Sequence, residues 1–253
     1  MPAPINTLKA ALARGDLQRG LWLNLPGSVT AEMAGRAGFD WCLIDGEHGP
    51  WDPAGIRDQL VALAATGTPA VVRVPVAEEW VLKQALDLGV QTVLVPMVNS
   101  AAEAARVVRA CRYPPEGTRG MGAMVARAGG FGAVAGYPAT ANEQICVLVQ
   151  AESRAAIDDL EAIVATEGVD GVFVGPADLG ADMGYRDDLM NPKLWRVIDA
   201  SIAKIRAGGK SAGIIVSGPE MEARVIDAGV NFLGCGGDAG VLRAGLAALA
   251  ARP

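Results

Sequence analysis

The chain is poor in the side chains on which many functions rest. Its 253 residues include one histidine, His48, which excludes a three-histidine zinc site. Its four cysteines, Cys42, Cys111, Cys146 and Cys235, show no close Cys–Cys spacing. Buried free thiols are therefore expected, not a disulfide framework or a thiolate metal cluster. No apolar run reaches the roughly 18 residues needed to span a bilayer. The opening Met1-Pro2-Ala3-Pro4-Ile5-Asn6 lacks the basic start and apolar core of a signal peptide, so a cytosolic protein with no membrane partner is expected. The 22 Lys and Arg are outnumbered by 28 Asp and Glu, giving a net charge of −6. Without a basic stripe to neutralise phosphates, nucleic-acid binding is disfavoured. An anionic ligand would need a local positive charge, from one arginine or one metal ion.

What is present is the composition of a compact α/β enzyme, with 51% hydrophobic residues and 32 glycines. The length fits one (β/α)8 barrel, a TIM barrel read as a single domain over residues 1–253. Short apolar runs alternate with stretches of helical period, as βα units feeding a parallel sheet do. Eight runs predict strands at Gly20–Asn24, Trp41–Asp45, Ala70–Val74, Thr92–Val98, Ile145–Gln150, Gly171–Val174, Ala212–Val216 and Asn231–Gly234. Helical spacing predicts helices at Ala31–Ala37, Glu79–Leu88, Ala101–Cys111, Ser153–Ala165, Pro192–Ala207, Pro219–Ala228 and Gly240–Ala251. The rival is a doubly wound sheet. No dinucleotide glycine fingerprint follows the first strand, which favours the closed barrel. The long Gly-rich connection from Arg112 to Asn142 reads as a flap over the barrel mouth, because loops of that length usually carry function.

In such a barrel the chemistry collects at the carboxyl ends of the strands. The second strand ends in Asp45-Gly46-Glu47-His48, the third carries Arg73, the fifth ends in Gln150-Ala151-Glu152, and the sixth runs into Gly175-Pro176-Ala177-Asp178. Glu152 and Asp178 follow neighbouring strands about 4.8 Å apart, so both carboxylates can converge on one ion. Hard oxygen ligands suit Mg²⁺, Mn²⁺ or Co²⁺ and leave positions open for substrate. Each acid alone could equally cap the helix that follows it. Asp45 is placed to fix the His48 imidazole for proton transfer, with Glu47 holding water nearby or facing solvent. Arg73 interrupts an apolar strand and must be either a core ion pair or an anion receptor. The backbone amides of Gly175–Asp178 start a helix and suit a carboxylate.

The lysines separate two ways of stabilising an enolate. Imine-forming aldolases need a lysine desolvated inside the barrel. Lys9, Lys83, Lys193, Lys204 and Lys210 all fall in helical stretches or loops, none at the carboxyl end of a strand. Metal-assisted enolisation is what remains.

Taken together, Leu43–His48, Val72-Arg73-Val74-Pro75, Leu94–Val98, Arg112–Gly120, Val149–Glu152 and Gly175–Leu179 resemble the class II pyruvate aldolases of the HpcH/HpaI type. The similarity runs from about Gly20 to Gly237. The resemblance implies a barrel assembled as a hexamer of paired subunits, a divalent metal on Glu152 and Asp178, and a pyruvate-type donor chelating it. It further implies that His48, held by Asp45, acts through water as the base and that Arg73 binds the enolate oxygen. By the same resemblance Gln150 and the amides of Ala177 and Asp178 hold ligands, and Asp87 reaches a neighbouring subunit's site. Two departures, Ala151 for a larger residue and Gly129-Gly130 for a polar–basic pair, bear on acceptor choice. The expected activity is reversible cleavage of a 4-hydroxy-2-oxo acid to pyruvate, or to hydroxypyruvate, and an aldehyde. The alternatives are a citrate-lyase-like enzyme acting on a coenzyme A thioester, disfavoured by the few lysines, and a non-catalytic scaffold for metal or keto acid.

Overall fold

The computed structural model of the chain describes residues 1–251. Eight parallel strands close into a barrel in sequence order: β1 (Gln18–Leu23), β2 (Trp41–Asp45), β3 (Ala70–Arg73), β4 (Thr92–Val95), β5 (Cys146–Ala151), β6 (Gly171–Val174), β7 (Ser211–Ile215) and β8 (Phe232–Gly237). Around them run α1 (Thr7–Arg14), α2 (Ser28–Gly35), α3 (Pro53–Thr66), α4 (Glu79–Asp87), α5 (Ala101–Cys111), α6 (Tyr137–Gln144), α7 (Arg154–Asp158), α8 (Leu160–Ala165), α9 (Pro176–Asp182), α10 (Pro192–Ala207), α11 (Pro219–Asp227) and α12 (Asp238–Ala250). This is the (β/α)8 barrel expected. Among the described residues no helix is long and apolar enough to cross a membrane.

The period-2 alternation of strand side chains splits the apolar residues into two layers. Trp22, Trp41, Leu43, Val71, Leu94, Leu148, Phe173 and Phe232 fill the barrel interior, and Leu8 and Leu12 of α1 plug its amino-terminal floor. Their partners on the other face, among them Cys42, Ile44, Val72, Val93, Val147 and Val172, pack under the helices. The interior is aromatic on one side, where Trp41 stacks on Phe232 at 4.2 Å.

Several boundaries differ from expectation for local reasons. β4 stops at Val95, short of Val98, because Pro96 cannot donate to a ladder and Met97 turns the chain with φ of 54°. The helix expected over Ser153–Ala165 is two, α7 and α8, broken at Asp159 (φ −98°, ψ 10°). The largest correction concerns Arg112–Asn142. It follows a helix and precedes a strand, so it lies at the amino-terminal end of the barrel, opposite the mouth, and cannot cover its own site. Arg119 Nη2 donates to Asp87 Oδ1 at 2.7 Å, Arg127 Nη1 donates to the Leu88 carbonyl at 2.9 Å, and the Gly136 amide donates to the Met1 carbonyl at 3.2 Å. The segment is thus anchored on the end of α4 and on the first residues of the chain.

Gly20 shows how tightly the interior is filled. A Cβ built there would overlap the six-membered ring of Trp41. Trp41 is fully buried and itself stacked, so it cannot step aside. Gly20→Ala is expected to cost about 3 kcal/mol as overpacking, lowering the melting temperature by roughly 6–12 °C for a chain of this size. Differential scanning calorimetry checks this, and an unchanged melting temperature would show that the aromatic layer can rearrange.

Candidate active site

At the carboxyl ends of the strands the inward parity changes chemistry. Continuing from Trp41 and Leu43 it reaches Asp45, and from Val71 it reaches Arg73. From Leu148 it reaches Gln150 and then Glu152. All four are buried, so the barrel's apolar filling is capped by a polar layer at the mouth. The residues expected there from sequence are brought together by register, since β2 and β3 place Asp45 opposite Arg73.

Asp45 accepts from Arg73 Nε at 2.8 Å and from Arg73 Nη2 at 2.7 Å, a forked pair that a lysine could not make. It also accepts from the amides of Glu47 at 3.1 Å and His48 at 3.3 Å, and from Asn24 Nδ2 at 2.7 Å. The third guanidinium nitrogen, Arg73 Nη1, lies 2.8 Å from Glu47 Oε2, a contact of charges without the alignment of a hydrogen bond. Burial pulls the Arg73 pKa down, but Asp45, Glu47 and Glu152 outweigh it and hold it above its ordinary value. Arg73 is therefore an ion-paired residue, yet three contacts leave two of its five N–H groups uncommitted.

Glu152 is only 3% exposed and forms no ion pair among the described residues, although its charge acts on nearby Arg73. Oε1 accepts the Met97 amide at 2.7 Å and Oε2 accepts Gln150 Nε2 at 2.5 Å. Burial raises its pKa, and the charges of Glu47 and Asp178 add to that against the two hydrogen bonds. Gly175 makes room for it, since a Cβ there would overlap the Glu152 side chain. Asp178 lies in the first turn of α9, exposed, and makes no capping bond. Ser153 caps the helix after Glu152, so neither acid is used as a cap. Among the described residues no three His, Cys, Asp or Glu side chains form a closed cage. Two hard carboxylates, a buried one just after β5 and an exposed one on the first turn of α9, neither in an ion pair among the described residues, fit a divalent cation with open coordination.

The remaining expected residues distribute less simply. His48 is at the exposed rim. Asp45 holds it by its backbone amide, and no bond from Asp45 to the imidazole is present among the described residues, so the expected carboxylate–imidazole pair is corrected to a carboxylate–turn contact. Glu47 is half-buried, and burial raises its pKa although Arg73 and His48 oppose the rise. Ala177 sits exposed on the first turn of α9. Ala151 points away from the site into the layer beneath the helices, which removes it from any contact with an acceptor. Asp87 ends α4 at the opposite end of the barrel, paired with Arg119. The five lysines lie on α1, α4 and α10 or just before β7, none at the mouth. Asn24 and the Met97 amide were not among the expected residues. Asn24 was legible, being two positions beyond Trp22 on the inward parity, whereas Met97 acts through its backbone and leaves no trace in residue type.

The sequence profile of the HpcH/HpaI aldolase/citrate lyase family matches residues 18–244. A hydroxypyruvate/pyruvate aldolase of Agrobacterium fabrum is 53% identical over 252 residues, covering 100% of this chain and 95% of that protein. A 2-keto-3-deoxy-L-rhamnonate aldolase of Klebsiella pneumoniae is 47% identical over 233 residues, covering 92% and 87%. The crystal structure of an HpcH/HpaI aldolase/citrate lyase family protein from Burkholderia cenocepacia superposes with a TM-score of 0.92 at 38% identity, covering 96% of this chain and 98% of that one.

The raised pKa of Glu152 carries a stability signature. The unfolded chain releases this proton near the ordinary glutamate value, whereas the folded metal-free chain holds it to higher pH. Between those values the folded state binds more protons, so stability falls as pH rises through the window and stays reduced above it. Glu152→Gln removes that titration, and Gln150, whose Oε1 has no partner, can turn its amide to meet the new one. In chelator, thermal denaturation should find Glu152→Gln more stable than wild type at neutral pH, with the advantage fading toward about pH 4. A variant less stable than wild type at neutral pH would contradict this.

Proposed function

The chain belongs to the HpcH/HpaI aldolase/citrate lyase family, and on that basis we propose that it is a divalent-metal-dependent class II aldolase. As a carbon–carbon lyase it would reversibly cleave 4-hydroxy-2-oxo acids to pyruvate, or to a substituted pyruvate such as hydroxypyruvate, and an aldehyde. The observation that carries the reading is the buried Glu152, which forms no ion pair among the described residues, in the same polar layer as Arg73. The donor assignment follows the activities named for the relatives, and no lysine stands where an imine would need one.

Glu152 and Asp178 would hold the metal, Mg²⁺, Mn²⁺ or Co²⁺, which when bound supplies Lewis-acid polarisation of the keto group. The chain's own residues do the rest. The N–H groups of Arg73 not engaged by Asp45 and Glu47 would stabilise the oxygen on which charge develops, preorganised because those two carboxylates fix the guanidinium. Gln150 orients Glu152, and the amides of Ala177 and Asp178 at the start of α9 receive the substrate carboxylate. His48, on the turn that Asp45 anchors, moves the C3 proton through a water at the exposed rim. The enolate then adds to the aldehyde, and the same base returns the proton.

Assembly is part of the proposal. None of the residues of α12 is buried, and Val241, Leu242, Leu246 and Leu249 are exposed along it, an apolar surface that a second copy of the chain would cover. Asp87 lies too far from its own mouth to act there, which supports a role in a neighbour's site within a homo-oligomer, a hexamer by family resemblance. The four unpaired thiols suit a reducing, cytosolic setting.

Exchange of the methyl protons of pyruvate in deuterated water, followed by NMR with metal present, tests this function without any acceptor. Wild type should exchange rapidly, and His48→Asn should lose about 10² to 10⁴ in rate with pyruvate and metal affinity and melting temperature nearly unchanged. Asp45→Asn should lose both rate and stability, because it strips Arg73 of its main counter-charge. Wild-type exchange no faster than that of free metal would leave a binding scaffold as the correct reading.

A further inference from the structure

Asp238 opens α12 at the far side of the barrel seam from the metal-type carboxylates. Its Oδ1 accepts the Asn24 amide at 2.8 Å, and its Oδ2 accepts the Leu25 amide at 3.2 Å. The carboxylate thereby pins the turn that follows β1. From that turn the Asn24 side chain reaches the other way, Nδ2 donating to Asp45 Oδ2 at 2.7 Å. Asn24 is held from behind by one carboxylate and holds the next.

The contact is not required to satisfy Asp45, which keeps four other hydrogen bonds, two from Arg73 and two from the Glu47 and His48 amides. Its consequence is positional. It fixes the carboxylate along the β1 side, and the carboxylate in turn fixes the guanidinium and the turn bearing His48. At its other end the chain of contacts stops at a helix with no buried residue, whose direction its own barrel sets only at the root.

We propose that Asn24 is a positioning residue for the reaction and that, together with Asp238, it ties the root of α12 to Asp45. The placement of Arg73 and of the Glu47–His48 turn then follows how α12 is held. The effect on rate rests on the aldolase reading above, whereas the effect on geometry does not, and the two can be read separately.

The test is a double-variant cycle on the full-length protein with two readouts. Asn24→Ala and Asp238→Ala should each lower kcat for pyruvate proton exchange about tenfold, as deletion of a hydrogen bond to a charged group does, with KM within about twofold. The double variant should be no worse than Asn24→Ala, because the two act through one path. His48 is the only histidine, so its ring carbon, labelled with ¹³C, gives one resonance that reports on the turn without any turnover. It should shift in both single variants and by the same amount in the double. Light scattering checks that mass is unchanged, and if Asp238→Ala dissociates or fails to fold, Asp238→Asn takes its place. Multiplying losses in the double variant, or a wild-type histidine resonance in the Asp238 variant, would overturn the proposal. If wild type shows no exchange at all, the aldolase reading fails and the resonance alone decides the relay.

Discussion

The Asp45 carboxylate, buried at the mouth, accepts five hydrogen bonds, from two nitrogens of Arg73, from Asn24 and from the amides of Glu47 and His48. Each bond fixes a different part of the site. The Arg73 fork sets a guanidinium inside the barrel mouth, and the two amides set the turn that carries Glu47 and His48. Removing one partner of such a buried pair costs about 3–5 kcal/mol, because the other charge is left without compensation. The site's geometry is therefore secured by the same interaction that makes the strand ends foldable.

Around that balanced pair the mouth is left unbalanced. Arg73 is paired with Asp45 and Glu47, while Glu152 and Asp178 form no ion pair among the described residues. Burial raises the pKa of Glu47 and of Glu152, and neighbouring carboxylates add to the rise in both. A divalent ion between Glu152 and Asp178 would relieve this repulsion. The fold thus carries a local electrostatic cost that a bound cation would remove, a usual cost of a preorganised site.

The barrel was legible because eight apolar runs recur at βα spacing, and the mouth because polar residues end four of them. What failed had specific causes. Arg112–Asn142 was judged by length and glycine content, whereas its position between a helix and a strand already assigns it to the opposite end. Ala151 stands out by comparison with the family pattern, but strand parity turns it into the layer beneath the helices. The link from Asp45 to His48 was read as side chain to side chain, but a three-residue turn brings the backbone amides to the carboxylate first. The helix Pro53–Thr66 was missed because Ala54, Ala62, Ala64 and Ala65 blur the contrast between its apolar face, Ile56, Leu60 and Leu63, and the rest. Met97 contributes only a backbone amide, which leaves no trace in residue type, whereas the inward parity of β1 points to Asn24.

We propose that chemistry at this mouth depends on a divalent ion on Glu152 and Asp178 and not on a covalent imine. Cleavage of a 4-hydroxy-2-oxo acid, followed by coupled detection of pyruvate in chelator and then with Mg²⁺, Mn²⁺ or Co²⁺ restored, tests it most directly. Turnover should be abolished by chelator, recovered on adding metal, and untouched by borohydride in the presence of pyruvate. Full turnover in chelator, or irreversible loss on borohydride treatment with pyruvate, would contradict it.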